Sequence, residues 1–119
     1  MRRIEKPWGH ELIWAHTDRY VGKILHIRKG EALSLQYHSV KDETVLVLRG
    51  SILLCYENDQ LRGTKTLKPG SDAFRIPPGL VHRMIALEDA DVVEVSTPEL
   101  DDVVRLEDRY GRGQAGEYS

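Results

Sequence analysis

The chain has 119 residues, 40% hydrophobic and 30% charged, the balance of a globular chain and enough for one domain but not two. Seventeen Lys and Arg against nineteen Asp and Glu leave a formal net charge of -2, so no one-signed field draws the chain to nucleic acid or a membrane surface. The longest purely apolar runs, Val45–Leu48 and Ile52–Cys55, fall far short of the roughly 20 residues of a membrane-spanning helix.

In chain order, Met1 to Pro7 has no apolar segment of the kind a secretory leader carries, so none is expected. Short β-rich runs follow at Glu11–Trp14, Tyr20–Ile27, Leu33–His38, Thr44–Leu48, Ile52–Tyr56, Lys65–Leu67, Ala73–Ile76, Val81–Leu87 and Val92–Ser96. Turn signals separate them: Lys29-Gly30, Arg49-Gly50-Ser51, Glu57-Asn58-Asp59, Lys68-Pro69-Gly70 and Pro77-Pro78-Gly79. This spacing predicts an all-β sandwich or barrel, with no sustained helical period. Gly111–Ser119, with three glycines and little apolar content, is expected to be a frayed tail. The single cysteine, Cys55, has no partner for an internal disulfide and reads as a packing residue of a cytoplasmic protein.

Two runs, Thr44–Leu48 and Ile52–Tyr56, are apolar at both parities, which predicts strands covered on both faces. A small sandwich covers one face per sheet, so a homodimer is expected, with cover by the N-terminal segment as the alternative.

The chemistry concentrates at four residues. Strand alternation puts Gln36 and His38 on one face. Glu43 opens the next strand after a short connection, and His82 begins the strand after the Pro77-Pro78-Gly79 turn. Each alone reads as an ordinary half-buried or surface side chain. Together, one amide oxygen, two imidazoles and a carboxylate suit a single divalent metal such as Zn, Mn, Co, Ni or Fe, with positions left open for a ligand.

Gly30-x5-Gln36-x-His38-x4-Glu43-x6-Gly50 resembles the first cupin motif, with Gln in place of its first His, and Gly70…Pro77-x-Gly79-x-x-His82 resembles the second. The resemblance implies a double-stranded β-helix, a jelly-roll-like cupin barrel, over 1–119 with its core at about 6–112. Five further segments sharpen it: Lys6-Pro-Trp-Gly9-His-Glu11, Tyr20-Val-Gly-Lys23, Leu33-Ser-Leu-Gln-Tyr-His38, Ile76-Pro-x-Gly79-x-x-His82-Arg83 and Asp101-Asp-Val-Val-Arg105-Leu-Glu-Asp108-Arg-Tyr-Gly-Arg112. In this order they look like the C-terminal cupin domain of type II mannose-6-phosphate isomerases.

That likeness implies a metal-dependent aldose–ketose isomerase acting on a sugar phosphate, in which the metal polarises the carbonyl and a base moves a proton between C2 and C1. Glu94 is the candidate base. Arg105 and Arg112 are candidates for the phosphate, Arg105 with a catalytic part as well, and Lys23 is a third substrate contact. Arg83 is turned away by alternation, and Trp8 anchors the N-terminal segment. Ser39-Val40-Lys41-Asp42 stands where these isomerases carry His-His-Arg, and Ala32 where they carry a basic residue, so a thinner basic shell is expected. Two other readings share the fold: a C–C-cleaving dioxygenase with a site lined by Val45, Val47 and Met84, and a non-catalytic sugar-binding cupin.

Overall fold

The computed structural model describes residues 1–112, and the expected frayed tail at 113–119 lies outside them. The eleven strands are β1 (Arg2–Lys6), β2 (Gly9–His16), β3 (Val21–Ile27), β4 (Leu35–Tyr37), β5 (Glu43–Arg49), β6 (Ile52–Glu57), β7 (Arg62–Leu67), β8 (Phe74–Ile76), β9 (Val81–Ala86), β10 (Ala90–Ser96) and β11 (Val104–Glu107). No helix occurs among the described residues. Two antiparallel sheets form, β1-β2-β3-β10-β5-β8 and β11-β4-β9-β6-β7. The chain switches sheet after β3, β4, β5, β7, β8, β9 and β10, which winds it into the expected double-stranded β-helix.

Every predicted strand is present, and two strands were not foreseen. β1 carries only one apolar residue, Ile4, so alternation gives no signal; it exists because its backbone pairs with β2 from Arg2↔Ile13 to Lys6↔Gly9. Charged side chains are common on such an exposed edge. β11 is likewise an edge strand of four residues, held by pairing with β4.

Alternation sorts the rest. In β3, Val21, Lys23, Leu25 and Ile27 point inward, and in β10 Val92, Glu94 and Ser96 do so. Leu25, Ile27, Val45, Val47, Ile52, Leu54, Met84 and Val92 fill the core between the sheets, and Trp8 packs into it fully buried, the anchor expected from the sequence. The polar inward positions gather toward the other end of the interior, which is where the site lies. Gly50 makes the turn from β5 to β6 at φ +74°, and a Cβ there would sit 2.1 Å from the Asp89 carbonyl oxygen, so only glycine fits.

Candidate functional site

Gln36 sits in the middle of β4, with Ser34 and His38 on the same inward parity, so all three are buried. Pairing of β4 with β9 sets Gln36 directly opposite His82, and pairing with β11 sets Arg105 on its other side. Tyr56 of β6 lies beyond His82, so Arg105, Gln36, His82 and Tyr56 form one row across the smaller sheet. Glu43, the first residue of β5, approaches this row from the larger sheet.

His38, Glu43 and His82 offer ligand atoms that all lie within 4.8 Å of one another, and all three are buried. Nε2 of His38 is 3.0 Å from Glu43 Oε1 and Nε2 of His82 is 3.4 Å from the same oxygen. The far side of each ring is engaged by backbone: Nδ1 of His38 meets the Asp102 carbonyl and Nδ1 of His82 the Leu80 carbonyl, at 2.9 Å. A carbonyl only accepts, so both Nδ1 atoms carry a proton, and both rings turn Nε2 toward one carboxylate oxygen. Two ring nitrogens and a carboxylate oxygen thus converge on one point, as ligands of a single ion do. His82 Nε2 and Glu43 Oε2 are moreover buried without a hydrogen-bond partner. The donor set therefore fits a divalent metal of the kind imidazole and carboxylate prefer. Gln36 adjoins it with its Oε1 accepting the Ser34 hydroxyl at 2.5 Å.

Beside this cluster runs a line of buried charge. Lys41 Nζ lies 3.1 Å from Glu94 Oε2 and 3.4 Å from Glu43 Oε2. Lys23 Nζ lies 3.9 Å from Glu94 on its other side and 3.5 Å from Glu11. Burial alone would raise the Glu43 carboxyl, but the Lys41 ammonium and the His38 and His82 rings beside it hold it well below the usual carboxylate range. Burial and the neighbouring Glu43 charge push Glu94 up, against the pull of Lys41 and Lys23. Burial works against the Lys41 ammonium, yet Glu94 and Glu43 outweigh it and raise its pKa. Two carboxylates in one pocket are thus driven apart, which is how an acid–base group separates from a ligand.

A cupin domain model matches residues 23–97. The chain belongs to the cupin family. It is 33% identical over 116 residues to mannose-1-phosphate guanylyltransferase ManC of Salmonella typhimurium, covering 93% of this chain and 23% of that protein. A mannose-1-phosphate guanylyltransferase of Escherichia coli strain K12 is 33% identical over 117 residues with the same coverage. The chain spans about a quarter of the length of these curated relatives. Among solved structures, KdgF from Halomonas sp. superposes with a TM-score of 0.71 at 25% identity, over 82% of this chain and 88% of that one. A cupin-superfamily sugar phosphate isomerase from Silicibacter pomeroyi shares the fold with a TM-score of 0.67 at 22% identity, over 81% and 64%.

The four metal candidates of this cupin fall together in space, three as a close cluster and Gln36 opposite His82. Glu94 and Lys23 face each other across β10 and β3, and Lys23 bridges Glu94 and Glu11. Arg105 is buried in the Gln36 row, its pKa lowered by burial and by the nearby Arg112 charge. Arg112 grips Asp108 with Nε at 3.0 Å and Nη2 at 2.9 Å. Arg83 points away from the interior, as alternation required, donating to the Leu33 carbonyl and Glu107. Lys41, counted in the sequence only as part of a departing motif, is fully buried against Glu43 and Glu94. It lies in a connection, where alternation gives no direction. Asp102 turns it inward by accepting the N–H groups of Ser39, Val40 and Lys41 at 3.0, 2.7 and 2.8 Å. Glu11 was also passed over, although a charge on the inward parity of Ile13 was a legible signal.

Proposed function

We propose that this cupin is a metal-dependent aldose–ketose isomerase of a sugar phosphate. The observation that carries the reading is the separation of the two buried carboxylates: Glu43 directed to the metal position by both histidines, and Glu94 raised and bracketed by two ammonium groups. A divalent ion held by His38, Glu43 and His82, with Gln36 as the neutral fourth ligand, supplies Lewis-acid polarisation of the substrate carbonyl. Glu94 takes the proton from C2 of the aldose and returns it to C1, while the hydroxyl proton passes from O2 to O1. A carboxylate whose pKa is raised by burial is the stronger base for this step. Lys23, 3.9 Å from Glu94, holds it from the β3 side. Arg105, with Arg112 beyond it, meets the phosphate; neighbouring strands are about 4.8 Å apart, so Arg105, two strands from His82, stands about 10 Å along the row.

The relatives named as mannose-1-phosphate guanylyltransferases, of which this chain matches about a quarter, support a sugar phosphate as the ligand. A diketone dioxygenase is less well served, because Val45, Val47 and Met84 belong to the packed core and the interior beside the metal position is lined by charge. The test is a coupled assay of mannose 6-phosphate and fructose 6-phosphate interconversion on the metal-loaded protein. Turnover lost on chelation supports the reading; oxygen uptake with a diketone and no sugar turnover overturns it.

We further propose that a second copy covers the outer face of the larger sheet and that the protein works in the reducing cytoplasm, where Cys55 stays a free thiol. The row Leu12, Ile24, Val93 and Leu46 runs across that face in register, beside exposed Trp14, Leu48 and Val95. The adjacent row reads Glu5, His10, His26, Asp91 and Arg49. A two-fold axis along β3 brings this row onto itself reversed, Glu5 facing Arg49 and His10 facing Asp91, so the face is complementary to its own copy. Light scattering gives the mass; a monomer unchanged by Leu46→Glu overturns the dimer.

A further inference from the structure

At Trp14 the strand β2 breaks its register with β3. Ile13 pairs with Lys23 and Ala15 with Gly22, so Trp14 is the extra residue of a β-bulge, and bulges re-aim side chains. Here the side chain is laid across β3. Cζ2, Cε2 and Cη2 of the indole all stand within 2.8 Å of the point a Cβ at residue 22 would occupy, so a glycine is what leaves the ring its seat. Gly22 is buried beneath the indole, yet Trp14 itself stays 47% exposed. An exposed tryptophan already held in one place loses little freedom on meeting a partner.

On the other side of β3 the same row continues: Gly22 pairs with Val95, Val95 with Thr44, and Thr44 with Arg75. There the outer surface forms a shallow hollow of about 380 Å³, with Tyr20, Thr44, Arg75 and Val95 among the residues lining it. Arg75 is fixed in place by two hydrogen bonds to Asp42, at 3.1 and 2.8 Å. Tyr20 and Val95 are exposed. An aliphatic side chain with a phenol and a guanidinium beside it suits an aromatic guest, and Trp, Tyr and Arg are the residues that carry most interface energy.

Protrusion and hollow thus stand one strand to either side of β3, on β2 and on β10, at the same height along it. A two-fold axis along β3, the one that sets Glu5 against Arg49 and His10 against Asp91, brings β2 of each copy over β10 of the other. We propose that Trp14 anchors the homodimer: the indole of each copy seats in the hollow at Val95 of its partner, giving two equivalent anchor contacts. The inference rests on the second-copy reading of this face and is independent of the metal site and of the isomerase step. Gly22 acts through Trp14, as a positioning residue that provides the seat.

The test follows association and the accessibility of Trp14 together, on the full chain. Trp8 is fully buried, so iodide, a charged quencher, reaches only Trp14 of the two tryptophans. On dilution, quenching should rise with the same midpoint as the fall of mass in light scattering. Trp14→Ala should weaken the dimer roughly 30-fold or more, the loss expected of an anchor residue. Gly22→Ala unseats the indole without removing it and should weaken the dimer by a smaller factor. Val95→Arg fills the hollow and leaves the indole in place. Trp14→Ala and Val95→Arg should each be monomeric where the parent is a dimer. Their equimolar mixture should nevertheless give a mixed pair in native mass spectrometry, because one copy keeps the hollow and the other keeps the indole. Both variants change outward-facing side chains, and circular dichroism checks the fold. If Val95→Arg misfolds, Thr44→Arg fills the hollow in its place. A Trp14→Ala dimer as tight as the parent, or a mixture that pairs no better than either variant alone, overturns this inference and leaves the dimer on its apolar row. Protection of Trp14 by mannose in a protein that stays monomeric assigns the hollow to a sugar and overturns both, as does a parent that is monomeric at every concentration.

Discussion

The Asp102 backbone carbonyl accepts the Nδ1 proton of His38, joining the segment before β11 to a candidate metal ligand 64 positions earlier in the chain. The same residue's carboxylate gathers the N–H groups of Ser39, Val40 and Lys41. One residue thus sets the tautomer of His38 and the inward course of Lys41. Asp102→Ala keeps the carbonyl and removes the carboxylate. Hydrogen bonds to a charged group contribute about 2 kcal/mol, so urea unfolding should show a loss of about that size. Losing such outer support lowers metal affinity roughly 10-fold to 100-fold, which calorimetry with Co2+ would detect.

His82→Ala removes a ligand whose Nε2 is buried and otherwise unpartnered. Loss of a direct ligand should exceed the effect of an outer-shell change, so divalent metal affinity is expected to fall by roughly 100-fold or more. In the parent protein, saturating metal raises the melting temperature because it binds only the folded state. In His82→Ala that rise should vanish. A retained rise would mean that the ion binds elsewhere.

Glu94→Gln keeps the size of the side chain and removes the base. Its expected signature is a drop in kcat of about 10²-fold to 10⁴-fold with metal affinity nearly unchanged, because Glu94 is not among the clustered ligands. A fall in metal affinity matching the fall in kcat would reassign Glu94 to holding the ion.

The Asp108–Arg112 pair gives a pH dependence with a definite sign. Burial works to raise the Asp108 carboxyl, but the hydrogen bonds and charge of Arg112 lower it below its ordinary 3.8. A depressed carboxyl contributes stability that is complete above the unfolded value and is lost as the pH falls through the folded one. Asp108→Asn should therefore cost about 1 kcal/mol at pH 7 for a partly buried pair. That difference should close below pH 3.8. Urea midpoints of both proteins across this range would show a constant gap above it and convergence below.

Gly50→Ala tests the corner between the sheets. The positive φ alone costs an L-residue roughly 1–2 kcal/mol, and the clash with the Asp89 carbonyl adds to it. A loss of at least about 2 kcal/mol in urea unfolding is expected, whereas Gly30→Ala meets nothing within 4 Å and should show only the backbone cost.

What the sequence determined by itself is what repeats at short range. Period-2 alternation and the Gly/Pro turns define the internal strands, the shared face of Gln36 and His38, and the aim of Arg83 away from His82. The cupin spacing followed from the same local pattern. Strand pairing decided the rest, because a sheet edge is made by its neighbour's free backbone groups: β1, with one apolar residue, and β11, four residues long with Arg105 rather than Leu106 buried, are strands only in the presence of β2 and β4. Lys41 was legible only as a departure from a motif. Its side chain direction comes from Asp102, 61 positions away, and its meaning from Glu43 and Glu94, which reach it from two neighbouring strands of the larger sheet. Electrostatics acts through distance in space, and for a residue in a connection that distance exists only once the barrel has closed.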